Sequence, residues 1–415
     1  MCTLCEQEKK TCIRCQAYQR LPKFRLLQAF LTFVMGVPHE GQVPLFKSTP
    51  LTCAFQTFTA LFLNSLCIVT LLSLASTHHL GHLSRLMFGA AGCVLLLPQV
   101  GLFRSMHQYL VHNASHDGFG KYSHVVGELA ALVAATFPLA VYKKHHPIHH
   151  QYLLGEDDVD QQVIIQHGFT PGQTASFYRR RLILLLFFYW PKYVAIHVFV
   201  KLNANLFASQ PLGRRILFLC VQATPILLAI IYAISNCSLI PLAIYSIAWL
   251  LPITYGTWAS MLIYALGLHR WFYVPKAGMS LREGYMAKTG ARFFGDPCPS
   301  HTLPFGNRAM AWMVYWTRLV LLHFLFSKLF IIGPTDNQCH DVHHITKQFD
   351  WCNPIYSRHQ LASQSNFKDG LWQTWTLMDA IEKNFQHMSE WENLNGPWRS
   401  MPSSTCSLEE MYVEI

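Results

Sequence analysis

The chain has 415 residues, of which 52% are hydrophobic and only 13% charged. Soluble domains carry about a quarter charged residues, so this balance excludes an ordinary water-soluble domain and points to a membrane protein. The formal charge of +10 then reports Lys and Arg on a cytoplasmic, lipid-facing side. It does not indicate nucleic-acid binding, because no basic run is interleaved with aromatics on a polar module. The 13 cysteines, an odd number scattered through apolar stretches, argue against a disulfide framework and for a reducing compartment.

Residues 1–50 read as a polar, cytoplasmic N-terminal segment with no apolar core of the kind a signal peptide needs. Within it Cys2, Cys5, Cys12 and Cys15 form two C-x2-C pairs. Four thiolates so paired suit tetrahedral zinc or iron; free thiols or a lipid-modified tail fit the same spacing.

Residues 51–76 and 86–103 are apolar and near the ~20 residues that a membrane helix needs. Seven Lys and Arg precede the first of them, which by the positive-inside rule sets the N-terminus in the cytoplasm. Residues 125–141 are short for a span and contain Pro138, so they read as a buried or re-entrant segment. Residues 182–202 are flanked by Arg179–Arg181 and by Arg214 and Arg215, which favours a helix lying in the interface. Residues 216–235 and 239–262 make a second hairpin. Residues 308–332, interrupted by Arg318, His323 and Lys328, read as a surface helix. Residues 361–415 form a polar C-terminal tail with an amphipathic helix near 371–388. The expected fold is thus an all-α integral membrane protein. It has four transmembrane helices in two hairpins and a cytoplasmic helical cap, with residues 51–360 as the membrane-embedded catalytic domain.

Three histidine clusters carry the chemistry. They read His112-Asn113-Ala114-Ser115-His116, His146-Pro147-Ile148-His149-His150 and His340-Asp341-Val342-His343-His344. Imidazole is the commonest protein metal ligand, and it suits iron, copper, zinc or nickel, not magnesium or calcium. Residues three and four apart share a helix face, so each cluster can aim two rings at one point. Eight imidazoles exceed the three or four ligands of a single zinc and suit two metal ions side by side. Asp157, Asp158 and Asp160 follow the second cluster, and Asp341 lies inside the third. Carboxylates so placed can orient ligating rings through their other nitrogen.

Clusters in this order, flanked by long apolar stretches, resemble the membrane fatty-acid desaturase and hydroxylase superfamily over residues 50–360. The resemblance implies a non-haem di-iron centre in the cytoplasm, two Fe ions cycling between Fe2+ and Fe3+, and O2 as co-substrate. The eight cluster histidines are its implied ligands. The stretch Ala265-Leu266-Gly267-Leu268-His269-Arg270 is similar to the His-Arg step of bacterial acyl-chain desaturases and makes His269 a ninth. The implied substrate is the acyl chain of a fatty acid or lipid, with desaturation the leading outcome. Hydroxylation, ketolation or oxidative decarboxylation of a fatty acid, alkane or carotenoid would use the same site. No flavin- or haem-binding module is appended, so electrons would come from an external ferredoxin, rubredoxin or cytochrome b5. A metal transporter or sensor is the non-enzymatic alternative, but it needs polar ligands inside the spans. Two departures stand out: the first cluster has His-Asn where many members have His-Asp, and it is H-x3-H instead of H-x4-H.

Overall fold

The computed structural model describes residues 21–39, 41–151, 153–155, 158–207, 210–274, 278–333, 337–346, 349–362 and 372–391. Cys2, Cys5, Cys12, Cys15 and Asp157 lie outside the described residues.

Among the described residues the regular structure is helical apart from one short parallel strand pair. The helices are α1 Arg25–Met35, α2 Pro50–Ser76, α3 His82–Ser115, α4 Ser123–Val133, α5 Leu139–Gln151, α6 Val159–Gln166 and α7 Ala175–Leu206. They continue with α8 Leu212–Ser235, α9 Ile240–Leu268, α10 Leu281–Lys288, α11 Phe305–Ile332, α12 His340–Ile345, α13 Pro354–Ala362 and α14 Leu377–Ser389. β1 Gly290–Arg292 pairs with β2 Trp372–Thr374.

Among the described residues six helices, α2, α3, α7, α8, α9 and α11, are long and apolar enough to cross a membrane, consistent with a multi-pass membrane protein. α2, α3, α8 and α9 contain the four segments expected to span. α7 and α11 contain the segments expected along the surface, and they run as continuous helices of 32 and 28 residues. The lipid-compatible faces are plain on α2 and α8, where Phe55, Phe62, Leu66, Leu228, Ile231 and Ile234 stand exposed. A water-soluble surface rarely tolerates so large an apolar patch.

Local sequence explains the main boundaries. Thr49 caps α2 through a capping box with Thr52, and Pro50 fills the first turn, where a missing N–H costs nothing. α2 and α3 are pinned inside their apolar contact by Asn64 Nδ2 donating to Gln99 Oε1 at 2.7 Å, and by Gln99 Nε2 donating to Ser65 Oγ at 2.7 Å. Between α4 and α5 the helix breaks at residues 134–138, because Pro138 disfavours helical backbone before it. α3 meets α11 at Gly101, where a Cβ would come within 1.8 Å of the Leu329 carbonyl oxygen. Only glycine permits that approach.

α7 and α11 are each tied to neighbouring elements. At the start of α7, Arg179 Nε donates to Glu382 Oε2 of α14 at 2.9 Å. Past its end, Arg214 Nε donates to Glu128 Oε2 of α4 at 2.7 Å. In α11, Tyr315 and Leu319 share a core with Leu31 and Val34 of α1 and with Ala291 and Phe293. Asp296 accepts from Arg318 Nε at 2.7 Å and lies 2.8 Å from His323 Nε2.

Candidate metal centre

The three clusters arrive on the ends of separate helices. A π-helical turn, Met106–Val111, precedes His112 in α3. Such turns insert a residue and re-aim the side chains beyond them, and they are frequent at functional sites. His146, His149 and His150 lie on α5, and His340, His343 and His344 on α12. His269 is the first residue beyond α9. Asn384 of α14 fixes it there, its Nδ2 donating to the carbonyls of Leu266 and His269 at 2.7 Å each.

All nine histidines named from the sequence fall into two groups. His112, His116, His146, His150 and His343 form one; His149, His269, His340 and His344 form the other. Within each group the candidate ligand nitrogens lie within 4.8 Å of one another. The groups adjoin, since the rings of His150 and His344 are 4.5 Å apart. Helix phase explains the division. At about 100° per residue, positions i and i+4 point nearly the same way, whereas adjacent residues diverge by about 100°. So His146 and His150 stay together while His149 turns to the other group, and His340 and His344 stay together while His343 crosses back.

The nitrogens meet closely. His112 Nε2 is 2.7 Å from His343 Nε2, His116 Nε2 is 2.7 Å from His146 Nε2, and His150 Nε2 is 2.9 Å from His146 Nε2. In the second group His344 Nε2 is 2.8 Å from His340 Nε2. Two nitrogens ~2.1 Å from one ion at right angles stand about 3 Å apart, so the spacing fits shared coordination. A neutral imidazole has a single N–H donor, so at each such contact one ring presents a bare lone pair. His269 is 1% exposed, and neither of its ring nitrogens has a hydrogen-bond partner among the described residues. Nine nitrogen donors without a carboxylate suit a transition metal, not magnesium or calcium.

No protein-family model matches the chain, and no curated protein or solved structure matches it either.

The surroundings keep several of these rings neutral and oriented. Burial, reinforced by neighbouring imidazoles, holds His146, His269, His340 and His344 well below the ordinary histidine range and brings His343 down to about 3. A neutral ring keeps its lone pair available for a metal. His149 Nδ1 lies 3.0 Å from Asp158 Oδ1 and 3.8 Å from Asp160 Oδ2, which leaves Nε2 for the group. Burial raises the Asp160 carboxyl to about 7, against the pull of His149. Asp341 points elsewhere: it receives Nε and Nη2 of Arg358 at 3.1 and 2.9 Å in a buried pair. Its part is to fasten α12 to α13, because the guanidinium fork matches a carboxylate.

One polar neighbour does not stand out in the sequence. Tyr142 OH lies 3.2 Å from His112 Nδ1, and its ring stacks on His146 at 5.0 Å. The available signal is its position four residues before His146 on the same helix face. His116 is the one exposed member among the nine, and the other eight are buried or half-buried.

Proposed function

We propose that the chain is an oxygen-dependent, membrane-bound di-iron oxidase acting on an acyl chain, with desaturation as its reaction. The observation that carries this reading is the convergence of nine imidazoles, from clusters far apart in sequence, in two adjoining groups beside apolar helices. Bound iron would supply the activation of dioxygen and an oxidant able to take hydrogen from an unactivated C–H bond, which zinc, having no redox chemistry, does not. Overall, –CH2–CH2– with O2, two electrons and two protons gives –CH=CH– and two waters. The electrons come from an external carrier of ferredoxin, rubredoxin or cytochrome b5 type.

The chain's own residues supply placement. Asp158 orients His149 and Tyr142 orients His112, each through Nδ1, so that Nε2 faces its group. The apolar helices let an acyl chain approach from the bilayer, since each methylene gains about 0.8 kcal/mol on leaving water.

The same convergence supports four crossings with every cluster on the cytoplasmic side. His116 and His269 serve one site, so an even number of α7, α8 and α9 crosses between them. His269 and His340 also serve it, so α11, the one long apolar helix between them, starts and ends on the same side. The basic residues at both ends of α7 and the packing of α11 against α1 favour these two as the helices that stay at the surface.

The test is lipid analysis by mass spectrometry of iron-replete, aerated cells expressing the chain, beside a His149→Ala control. An acyl product lacking two hydrogens, present only with the unsubstituted chain, supports the proposal. A purified protein that retains zinc but no iron, with no oxidised acyl product, overturns it.

A further inference from the structure

We propose that Lys201 binds the carboxylate of a free long-chain acid. On the oxidase reading above, the substrate is then a fatty acid itself, not a thioester or a neutral lipid.

α7 places Tyr193, His197, Lys201 and Asn205 four residues apart, on one face of the helix. All four are buried, at 8%, 1%, 7% and 0% exposure, whereas Phe187, Phe199 and Leu202 on other faces stand exposed. α7 thus turns a polar stripe toward the protein interior.

The two ends of the stripe are engaged. Arg181 Nη2 donates to Tyr193 OH at 3.1 Å. Asn205 Nδ2 donates to the Thr136 carbonyl at 2.9 Å, and Asn205 Oδ1 accepts from Arg214 Nη1 at 3.0 Å. The middle differs. His197 lies beside Lys201 and His107, and no carboxylate pairs with the Lys201 ammonium among the described residues. Glu128, the acid of the adjoining network, is held by Arg214 and by the Leu139 amide. A buried ammonium without an anion is costly.

The stripe also leads to the metal centre. The His107 ring meets Tyr142 edge-on at 5.2 Å, and Tyr142 OH meets His112 Nδ1. A lysine ammonium beside imidazoles matches a singly charged carboxylate; an ester or thioester has no charge to pair with it. An acid anchored at Lys201 would lie along the wall that ends at the five-histidine group.

The test measures binding of palmitate, methyl palmitate and acetate to the purified full chain in detergent, with Lys201→Met and Lys201→Arg alongside. The expected result is about tenfold or greater preference for palmitate over its methyl ester, with acetate not bound. Lys201→Met abolishes that preference and Lys201→Arg largely keeps it. Equal binding of acid and ester by the unsubstituted chain overturns the proposal and requires no variant to fold. Preference surviving in a monodisperse Lys201→Met protein overturns it as well. Acetate binding as tightly as palmitate would mean a bare anion site and also sinks it. Acid-selective binding without any oxidised product leaves this site standing and removes the oxidase reading; oxidation of esterified lipid without acid preference does the reverse.

Discussion

His149 and Asp158 face each other at 3.0 Å with both side chains sealed from solvent. Asp158 also accepts the Leu154 and Asp160 amides at 2.6 and 3.0 Å, so one carboxylate both caps α6 and holds a ring of the four-histidine group. Outer partners of this kind, when lost, lower metal affinity by about 10–100-fold. Asp158→Asn keeps the shape and removes the charge. Metal titration monitored by competition with a chelator should show that loss in the variant, with the helical circular dichroism unchanged.

The two groups should load separately. The unsubstituted chain is expected to bind about two transition-metal ions, four or five nitrogens being ample for each. His269→Ala removes one candidate ligand from the four-histidine group and leaves the other group intact. Elemental analysis after dialysis should fall toward one ion per chain for this variant. Retention of both would mean that His269 is a bystander.

Asp341 and Arg358 form a buried bidentate pair at 1% and 6% exposure. Removing one partner strands the other, which typically costs 3–5 kcal/mol. Arg358→Ala should therefore lower the thermal midpoint in detergent far more than substitution of an exposed arginine such as Arg180. Asp341→Asn should do likewise, through stability before chemistry.

Acid should loosen the fold in part through His167. Burial lowers its ring to about 4, against the hydrogen bond to the Val163 carbonyl. Its ordinary value is about 6.5, so between those limits the unfolded chain binds the extra proton. The neutral ring's contribution is complete above about pH 6.5 and is lost as the pH falls toward 4, by about 3 kcal/mol at most. Thermal midpoints taken from pH 7.5 down to 5 should fall for the unsubstituted chain, and less steeply for His167→Phe. The phenylalanine can keep the stacking on Tyr193, 4.7 Å away.

Much of the centre is legible in the sequence because histidine spacing is a local property: i, i+3 and i+4 relations survive any tertiary arrangement. Asp158 is legible for the same reason, lying nine residues from the ring it holds. The division into five and four is not, since it depends on which neighbouring helix each ring meets. Asp341 illustrates the limit. Its position inside a histidine cluster points to a ring, but Arg358, seventeen residues on, offers a fork of charged donors that no imidazole matches. α1 lies within a segment that is polar overall, yet Leu31, Val34 and Met35 are fully buried. They give α1 one apolar face, which overall polarity conceals. The extent of α7 and α11 is hidden for the opposite reason. Charges that suggest interruption, such as Lys201 and Lys328, are turned inward and leave the helices unbroken.

The widened turn at Met106–Val111 makes the aim of the first histidine pair a matter of counting, not of residue identity. Deleting any one residue there would restore ordinary helical bonding and swing His112 and His116 by about 100°. The chain would gain a better helix and lose two of the five rings of their group, although every histidine were still present.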